Sequence, residues 1–273
     1  MQNKIAIQGI EGSNHYQVAQ HFIAEDNMFV CCDSFDQLVT AIVKDEVDFG
    51  IMAIENSIAG SLLPNYDLIS HHKLVITAEY NWDIKHDLVV LKGQELADIK
   101  SVRSHQMALL QCGHFFEQHP EIKLVEYTDT AFPAKLIAKE RKRQVAALVP
   151  DGTAQLFDLA VIKSHVQDHQ LNATRFVKLC KTGLMLENAD KASARFELPH
   201  EPGSLNKALM LLEKHHINMT KIQSVPLRWS KWKYAFFIDM LFDKHTDIIS
   251  IMESLKEKCH KFQILRIYKQ AAV

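Results

Sequence analysis

The sequence predicts a two-part α/β chain: an alternating strand–helix region over about the first 180 residues, then a compact unit of order βαββαβ. Three observations carry this expectation. Short runs rich in Val, Ile and Phe alternate with helix-period segments up to about residue 180, the pattern of a largely parallel sheet. At 273 residues the chain exceeds the usual size of one domain. Beyond a polar stretch near 184–191, "ASARFEL", "GSLNKALMLLEKHH", "NMTKIQSV", "KYAFFIDML", "DIISIMESLKEKC" and "FQILRIYK" follow as strand, helix, strand, strand, helix, strand, the ferredoxin-like split unit.

Each earlier element has its own signal. "KIAIQG" is the first strand, and Gly9 and Gly12 permit a tight turn before Ser13, which caps a helix whose free amides offer an anion site. "MFVCCDSFDQLVTAIVKDE" holds Ser34 and Gln37 at capping-box spacing, ahead of apolar Leu38, Ala41, Ile42 and Val43. "DFGIMAI" (48–54) is the third strand. Ligands of open parallel sheets gather beyond the carboxyl ends of strands, so Glu55, Asn56 and Ser57 stand where a ligand is met, or else only cap a helix. "KLVITAEY" and "HDLVVL" join this lobe to another. In "SVRSHQMALLQCGHFFEQHP" a helix capped by Ser104 places Gln111 two turns on, so both project along one stripe. Ser104 and His105 diverge as neighbours at a helix start, which argues against a serine hydrolase. "IKLVEYTDTAFPAKLIAKERKR" and "QVAALVPDGTAQLFDL" add two units, with Thr128, Asp129 and Thr130 as caps.

Composition narrows the function classes. With 47% hydrophobic and 23% charged residues, the chain is an ordinary globular protein. The formal charge of −2 gives no basic field for nucleic acid, and the cluster "KERKRQ" (139–144) complements a helix end. The start lacks the apolar core of a secretory signal, and no run reaches transmembrane length, so a cytoplasmic, soluble protein with no membrane partner is expected. Five scattered cysteines without a C-x-x-C pair read as reduced thiols. Fifteen histidines show no metal-ligand spacing, so no metal is expected.

In "NATRFVKL" (172–179), Thr174 sits beside Arg175 at the start of a strand. Strand propensity alone explains a threonine there, and so does a hydroxyl acting on a bound anion. Adjacent strand residues face opposite ways, so Arg175 either reaches a substrate carboxylate across a bend or pairs with an acidic group. Phe176 packs beneath.

Taken together, "GIEGSNHYQVA" (9–19), "IENSIAGSLLPNYDL" (54–68), "SHQMALLQC" (104–112), "DTAFPA" (129–134), "NATRF" (172–176), "PHEPGSLNKAL" (199–209) and "NMTKIQSVP" (218–226) resemble the prephenate dehydratases that carry a carboxy-terminal ACT regulatory domain. The resemblance covers nearly the whole chain. It implies a two-lobed catalytic region like type II periplasmic binding proteins over 1–184, with lobes of roughly 1–76 with 161–184 and 77–160, and an ACT domain over 192–273. It implies conversion of prephenate to phenylpyruvate, water and carbon dioxide in phenylalanine biosynthesis, without cofactor, in a homodimer or homotetramer.

Residue by residue, the resemblance makes Thr174 the essential acid, with Glu55, Asn56 and Gln111 beside it as catalytic residues. Gly12, Ser13, Ser57, Ser104, Arg175 and Phe176 are the substrate-binding set. Glu55 suits orientation rather than carboxylate binding, because a carboxylate facing a dianion is costly. L-phenylalanine is the expected effector, held at Gly203, Ser204, Leu205, Asn218, Gln223 and Ser224. The family's E-S-R-P reads here as Gln223, Ser224, Val225 and Pro226, losing both charges, and "SHPQA" reads as "SHQMA". Ala53 stands for a proline before "IENS", and Phe132 and Pro133 for small residues. Rival readings are an arogenate dehydratase, a prephenate decarboxylase that does not aromatise, and a non-catalytic amino-acid sensor.

Overall fold

The computed structural model describes residues 2–23, 27–183, 188–227, 231, 233–243 and 246–270. The chain divides into two compact units, one of Met1–Leu62 with Tyr80–Phe176 and one of Leu63–Glu79 with Val177–Val273.

The first unit opens with β1 (Lys4–Gln8), α1 (Asn14–Phe22), β2 (Met28–Cys32), α2 (Phe35–Val43) and β3 (Phe49–Asn56). β1 lies parallel to both β2 and β3. Six consecutive buried residues begin β3, as expected of a strand covered on both faces. Both predicted caps form: Ser13 Oγ accepts from the Tyr16 amide at 3.3 Å, and Ser34 Oγ from the Gln37 amide at 3.2 Å. Gln37 Oε1 reaches back to the Asp33 amide, one residue earlier than a strict capping box. A two-residue strand β4 (Gly60–Ser61) folds back on β3, α3 (Leu63–His71) follows, and β5 (Val75–Asp83) carries the chain onward.

The second sheet holds β6 (His86–Val90), β7 (Ser101–His105), β8 (Lys123–Tyr127), β9 (Val145–Pro150) and β10 (Ala160–Lys163). Its helices are α4 (Gln106–Leu110), α5 (Gly113–Glu117), α6 (Phe132–Glu140) and α7 (Thr153–Leu156). Alternation sorts its two faces. Leu88, Val90, Ala146 and Leu148 pack with Ala108, Leu109 and Phe116, whereas Val89, Ala147 and Val149 pack with Ala134, Ile137 and Ala154. β11 (Ala173–Cys180) then returns to the first sheet, whose order is β2-β1-β3-β11-β5. The returning strand inserted beside β3 gives the type II, periplasmic-binding-protein-like order. Each of the two expected lobes has its own sheet, and the largely parallel expectation is corrected for the second, which is mixed: β6 runs antiparallel to β9 and β10. The reason is topological, since β6 brings the chain into this sheet and β10 takes it out.

The second unit contains β12 (Lys191–Glu197), α8 (Ser204–Lys214), β13 (Asn218–Pro226), β14 (Tyr234–Leu241), α9 (Ile248–Lys256) and β15 (Lys261–Tyr268), with antiparallel sheet order β13-β14-β12-β15. Ala192, Ala194, Phe196, Ile238 and Met240 meet Leu212, Ile251 and Leu255 of the two helices. Residues 184–187 of the expected linker lie outside the described residues, and its far end is corrected: Lys191 is the first residue of β12 and is 5% exposed. Its polar side chain reads as linker in sequence, but its Nζ donates to both Glu79 oxygens at 3.0 Å. Tyr268 Oη adds a donor to Glu79 at 3.3 Å, and Ser193 lies 2.9 Å from the same hydroxyl.

A buried ion pair of this kind is costly to break from one side. Lys191→Met is expected to lower the unfolding free energy by about 3–5 kcal/mol, and adding Glu79→Gln to restore much of it. Urea midpoints of the two variants check this; a double variant as unstable as Lys191→Met would contradict the pairing argument.

Candidate active site

A cleft of about 340 Å³ opens in the first unit, with walls from β3, β11, α1, β6, α4 and the segment before α6. Its central feature is Asn56 at the end of β3. Asn56 Oδ1 accepts from the Ile58 amide at 3.0 Å and the Ala59 amide at 2.8 Å. An amide oxygen held by two backbone donors fixes which end of the side chain is nitrogen. The nitrogen therefore faces β11, donating to Thr174 Oγ1 at 2.9 Å and Asn172 Oδ1 at 2.8 Å. Because Thr174 Oγ1 accepts from Asn56, its own hydrogen is left free to donate. Thr174 is 8% exposed and lines that cleft.

Histidines complete the inner wall. His15 Nε2 accepts from the Ala53 amide at 3.2 Å, and its ring meets Phe176 edge-on at 5.0 Å. Burial lowers the His15 pKa to about 3. His86, 2% exposed, places Nε2 3.2 Å from Gln111 Oε1. Burial lowers its pKa to about 4, the Gln111 contact acting weakly the other way. Both rings are thus neutral at neutral pH. Asp129 closes the other side: its Oδ1 accepts from the Ala131 amide at 2.7 Å and the Phe132 amide at 2.8 Å. Burial raises its pKa against those bonds. Gly9, at φ 94°, is required here, because a Cβ there would lie 2.3 Å from Asp129 Oδ2.

The structure brings together Thr174, Asn56, Gln111, Ser13 and Phe176 of the sequence-predicted set around the cleft. Five others are not among its lining residues. Ser104 is fully buried in β7 and donates to the Leu148 carbonyl at 2.6 Å; His105, not Ser104, caps α4, its Nδ1 accepting from the Met107 amide, so no Ser104–Gln111 stripe exists. Ser57 Oγ accepts from the Ala173 amide at 3.0 Å and donates to the Leu171 carbonyl, tying the β3 end to β11. The Gly12 carbonyl accepts from Thr153 Oγ1 at 2.8 Å, and the Ser13 amide donates to the Ile10 carbonyl, so that amide is already committed. Arg175 pairs with Glu55 at 3.4 Å, as strand alternation from Thr174 requires. His86 and His15 are the residues that sequence reasoning missed, since each reads as one more polar residue among fifteen histidines.

In the second unit a smaller pocket of about 170 Å³ lies between the start of α8 and the start of β14, where Ser204, Leu205, Glu201, Lys233 and Phe236 meet. Gly203, at φ 84°, makes the turn into α8. Asn218, Gln223 and Ser224 are not among the lining residues; they lie on β13, an outer strand of the sheet, and Gln223 Nε2 donates to the Ser224 carbonyl at 3.0 Å.

The family model described as prephenate dehydratase matches residues 5–183. The bifunctional chorismate mutase/prephenate dehydratase of Aquifex aeolicus is 28% identical over 98% of this chain and 74% of its own length. Arogenate dehydratase 2 of Petunia hybrida is 33% identical over 82% of this chain, which spans 57% of that protein. Among solved structures, prephenate dehydratase from Arthrobacter aurescens in complex with L-Phe superimposes with a TM-score of 0.86 at 25% identity, covering 97% of this chain and 90% of its own.

The two neutral histidines set an acid dependence. From the ordinary value of 6.5 down to about 4, the unfolded chain binds protons that folded His15 and His86 refuse, so stability is full above that window and falls as pH drops through it. Buried Asp87 and half-buried Asp129, with raised values, act in the opposite sense near the ordinary carboxylate range. Unfolding free energies measured between about pH 5 and 7 are expected to lose slope in His15→Gln and again in His86→Gln. An unchanged slope in both variants would contradict burial as the cause.

Proposed function

This chain belongs to the prephenate dehydratase family, and on that premise we propose that its cleft converts prephenate to phenylpyruvate, water and carbon dioxide. The observation that carries the reading is the Asn56–Thr174 hydrogen bond, which leaves one oriented, uncharged hydroxyl donor facing the cleft. In the reaction the bond between the quaternary ring carbon and its carboxylate breaks, and the electron pair enters the ring. The C–O bond across the ring then breaks with its pair going to oxygen. Thr174 protonates that oxygen as it leaves and regains a proton from solvent, so the dianion consumes one proton in becoming phenylpyruvate, carbon dioxide and water. Threonine is a weak acid, and the transfer is therefore concerted with departure of the oxygen.

Among the described residues no Lys or Arg lines the cleft. The two substrate carboxylates are accordingly read as held by neutral donors: the Gln111 amide, Asn14 and the amino end of α1. Glu55 acts at one remove, anchoring Arg175 at the back of β11. Arogenate, in which an ammonium replaces the keto oxygen, is the second reading; its support is the petunia relative's name and the Asp129 carboxylate on the cleft wall.

We read the βαββαβ unit as an ACT domain that takes L-phenylalanine as effector, the ligand of the Arthrobacter structure. The pocket beside α8 offers Lys233 for a carboxylate, Glu201 for an ammonium, and Leu205 with Phe236 for a ring. Exposed outer strands of that sheet suit pairing into a dimer or tetramer, and five free cysteines suit a reducing cytoplasm.

Purified protein given prephenate should release phenylpyruvate. Preferential release of phenylalanine from arogenate would favour the second reading, and a non-aromatic product or none would defeat both. Thr174→Val and Asn56→Asp should each lose about 10²- to 10⁴-fold in kcat, the second because an added acceptor turns the Thr174 hydrogen out of the cleft; normal turnover in folded Thr174→Val removes Thr174 as the acid. L-phenylalanine should inhibit, and Glu201→Ala or Lys233→Ala should weaken that inhibition about tenfold or more. Inhibition untouched by either change would place the effector elsewhere.

A further inference from the structure

We propose that His86 is a positioning residue for the reaction: by donating its Nε2–H to Gln111 Oε1 it turns the Gln111 amide nitrogen into the cleft as the donor for a substrate carboxylate. This rests on the reading of the cleft as a prephenate site. Gln111 ends α4 and could present either end of its amide, and its own element does not decide which. His86, at the first position of β6, faces it at 3.2 Å from the buried side. The rest of the ring decides the polarity. His86 Nδ1 is buried with no partner among the described residues. A proton on Nδ1 would be an orphaned buried donor, the rarer and costlier defect; a bare Nδ1 lone pair is the lesser one. The proton therefore sits on Nε2, and Gln111 must answer with its oxygen.

The ring is itself held. The His86 backbone amide donates to Gln167 Oε1 at 3.0 Å, its carbonyl accepts from the Val166 amide at 2.9 Å, and the Asp168 amide donates to the Gln111 carbonyl at 2.8 Å, so the segment 166–168 ties the start of β6 to the end of α4. Without the histidine donor the Gln111 amide is free to rotate, and in half of its orientations it presents an oxygen to an anion. Asn56 uses the same device on Thr174: its oxygen is satisfied by backbone amides, so its nitrogen is the end that donates to Thr174 Oγ1.

The test is a double-variant cycle on the full chain with prephenate. A hydrogen bond to a carboxylate that stays charged from ground state to transition state raises KM when lost and leaves kcat largely unchanged. His86→Leu should raise KM about 10- to 100-fold with kcat within about threefold. His86→Gln, whose amide nitrogen can reach the Nε2 position, should recover most of that KM at equal or lower thermal stability. His86→Leu combined with Gln111→Ala should be no worse than Gln111→Ala alone. Independent, multiplying effects, or a His86→Leu defect that falls on kcat, would overturn the positioning role. A wild-type chain that leaves prephenate unchanged would overturn the site reading, and this inference with it.

Discussion

The chemistry of the cleft depends on one amide whose oxygen is already spent. Asn56 gives that oxygen to two backbone donors in the turn that follows β3, so its nitrogen has no choice of direction. From this follow the donor that meets Thr174 Oγ1 and the link from β3 to Asn172, just before β11. A side chain that could flip would give a hydroxyl of either sense. The turn "SIA" (57–59) therefore matters as much as the residues that face substrate, although it only supplies backbone N–H groups.

Read as a prephenate site, the cleft would manage an anion without a side-chain cation among its described lining residues. The histidines in its wall are kept neutral by burial, and Arg175 is turned to the opposite face and neutralised by Glu55. Neutral donors oriented in advance lose nothing to reorganisation when charge shifts from carboxylate to leaving oxygen. A fixed cation beside the scissile carboxylate would stabilise the ground state most, where its charge is fullest, and so oppose its loss as carbon dioxide. The same economy is visible at Asp129, whose charge is shared with two backbone donors.

Local signals were written in short stretches and were legible. The strands, the Ser13 and Ser34 caps, the βαββαβ order and the location of Thr174 and Asn56 at strand ends all follow from alternation, capping chemistry and the rule that parallel sheets bind ligands at their carboxyl edges. What misled was the assumption that a polar residue in a motif faces the ligand. Ser104 and Ser57 have the right chemistry, but both spend it on backbone partners, Ser104 on a β9 carbonyl and Ser57 around β11. Lys191 looks like linker because a lone lysine in polar sequence gives no hint of a glutamate more than a hundred positions earlier.

The sequence by itself therefore determined the kind of element at each place, the two-part plan and the placing of Thr174 at the start of a strand, because these depend on contacts within a few residues along the chain. Only the tertiary structure decided polarity and pairing: which end of Asn56 meets Thr174, that His86 and Gln111 lie against each other, and which charges meet a partner before they can meet a ligand. Those choices are made by groups that lie far away in sequence and within hydrogen-bonding distance in space.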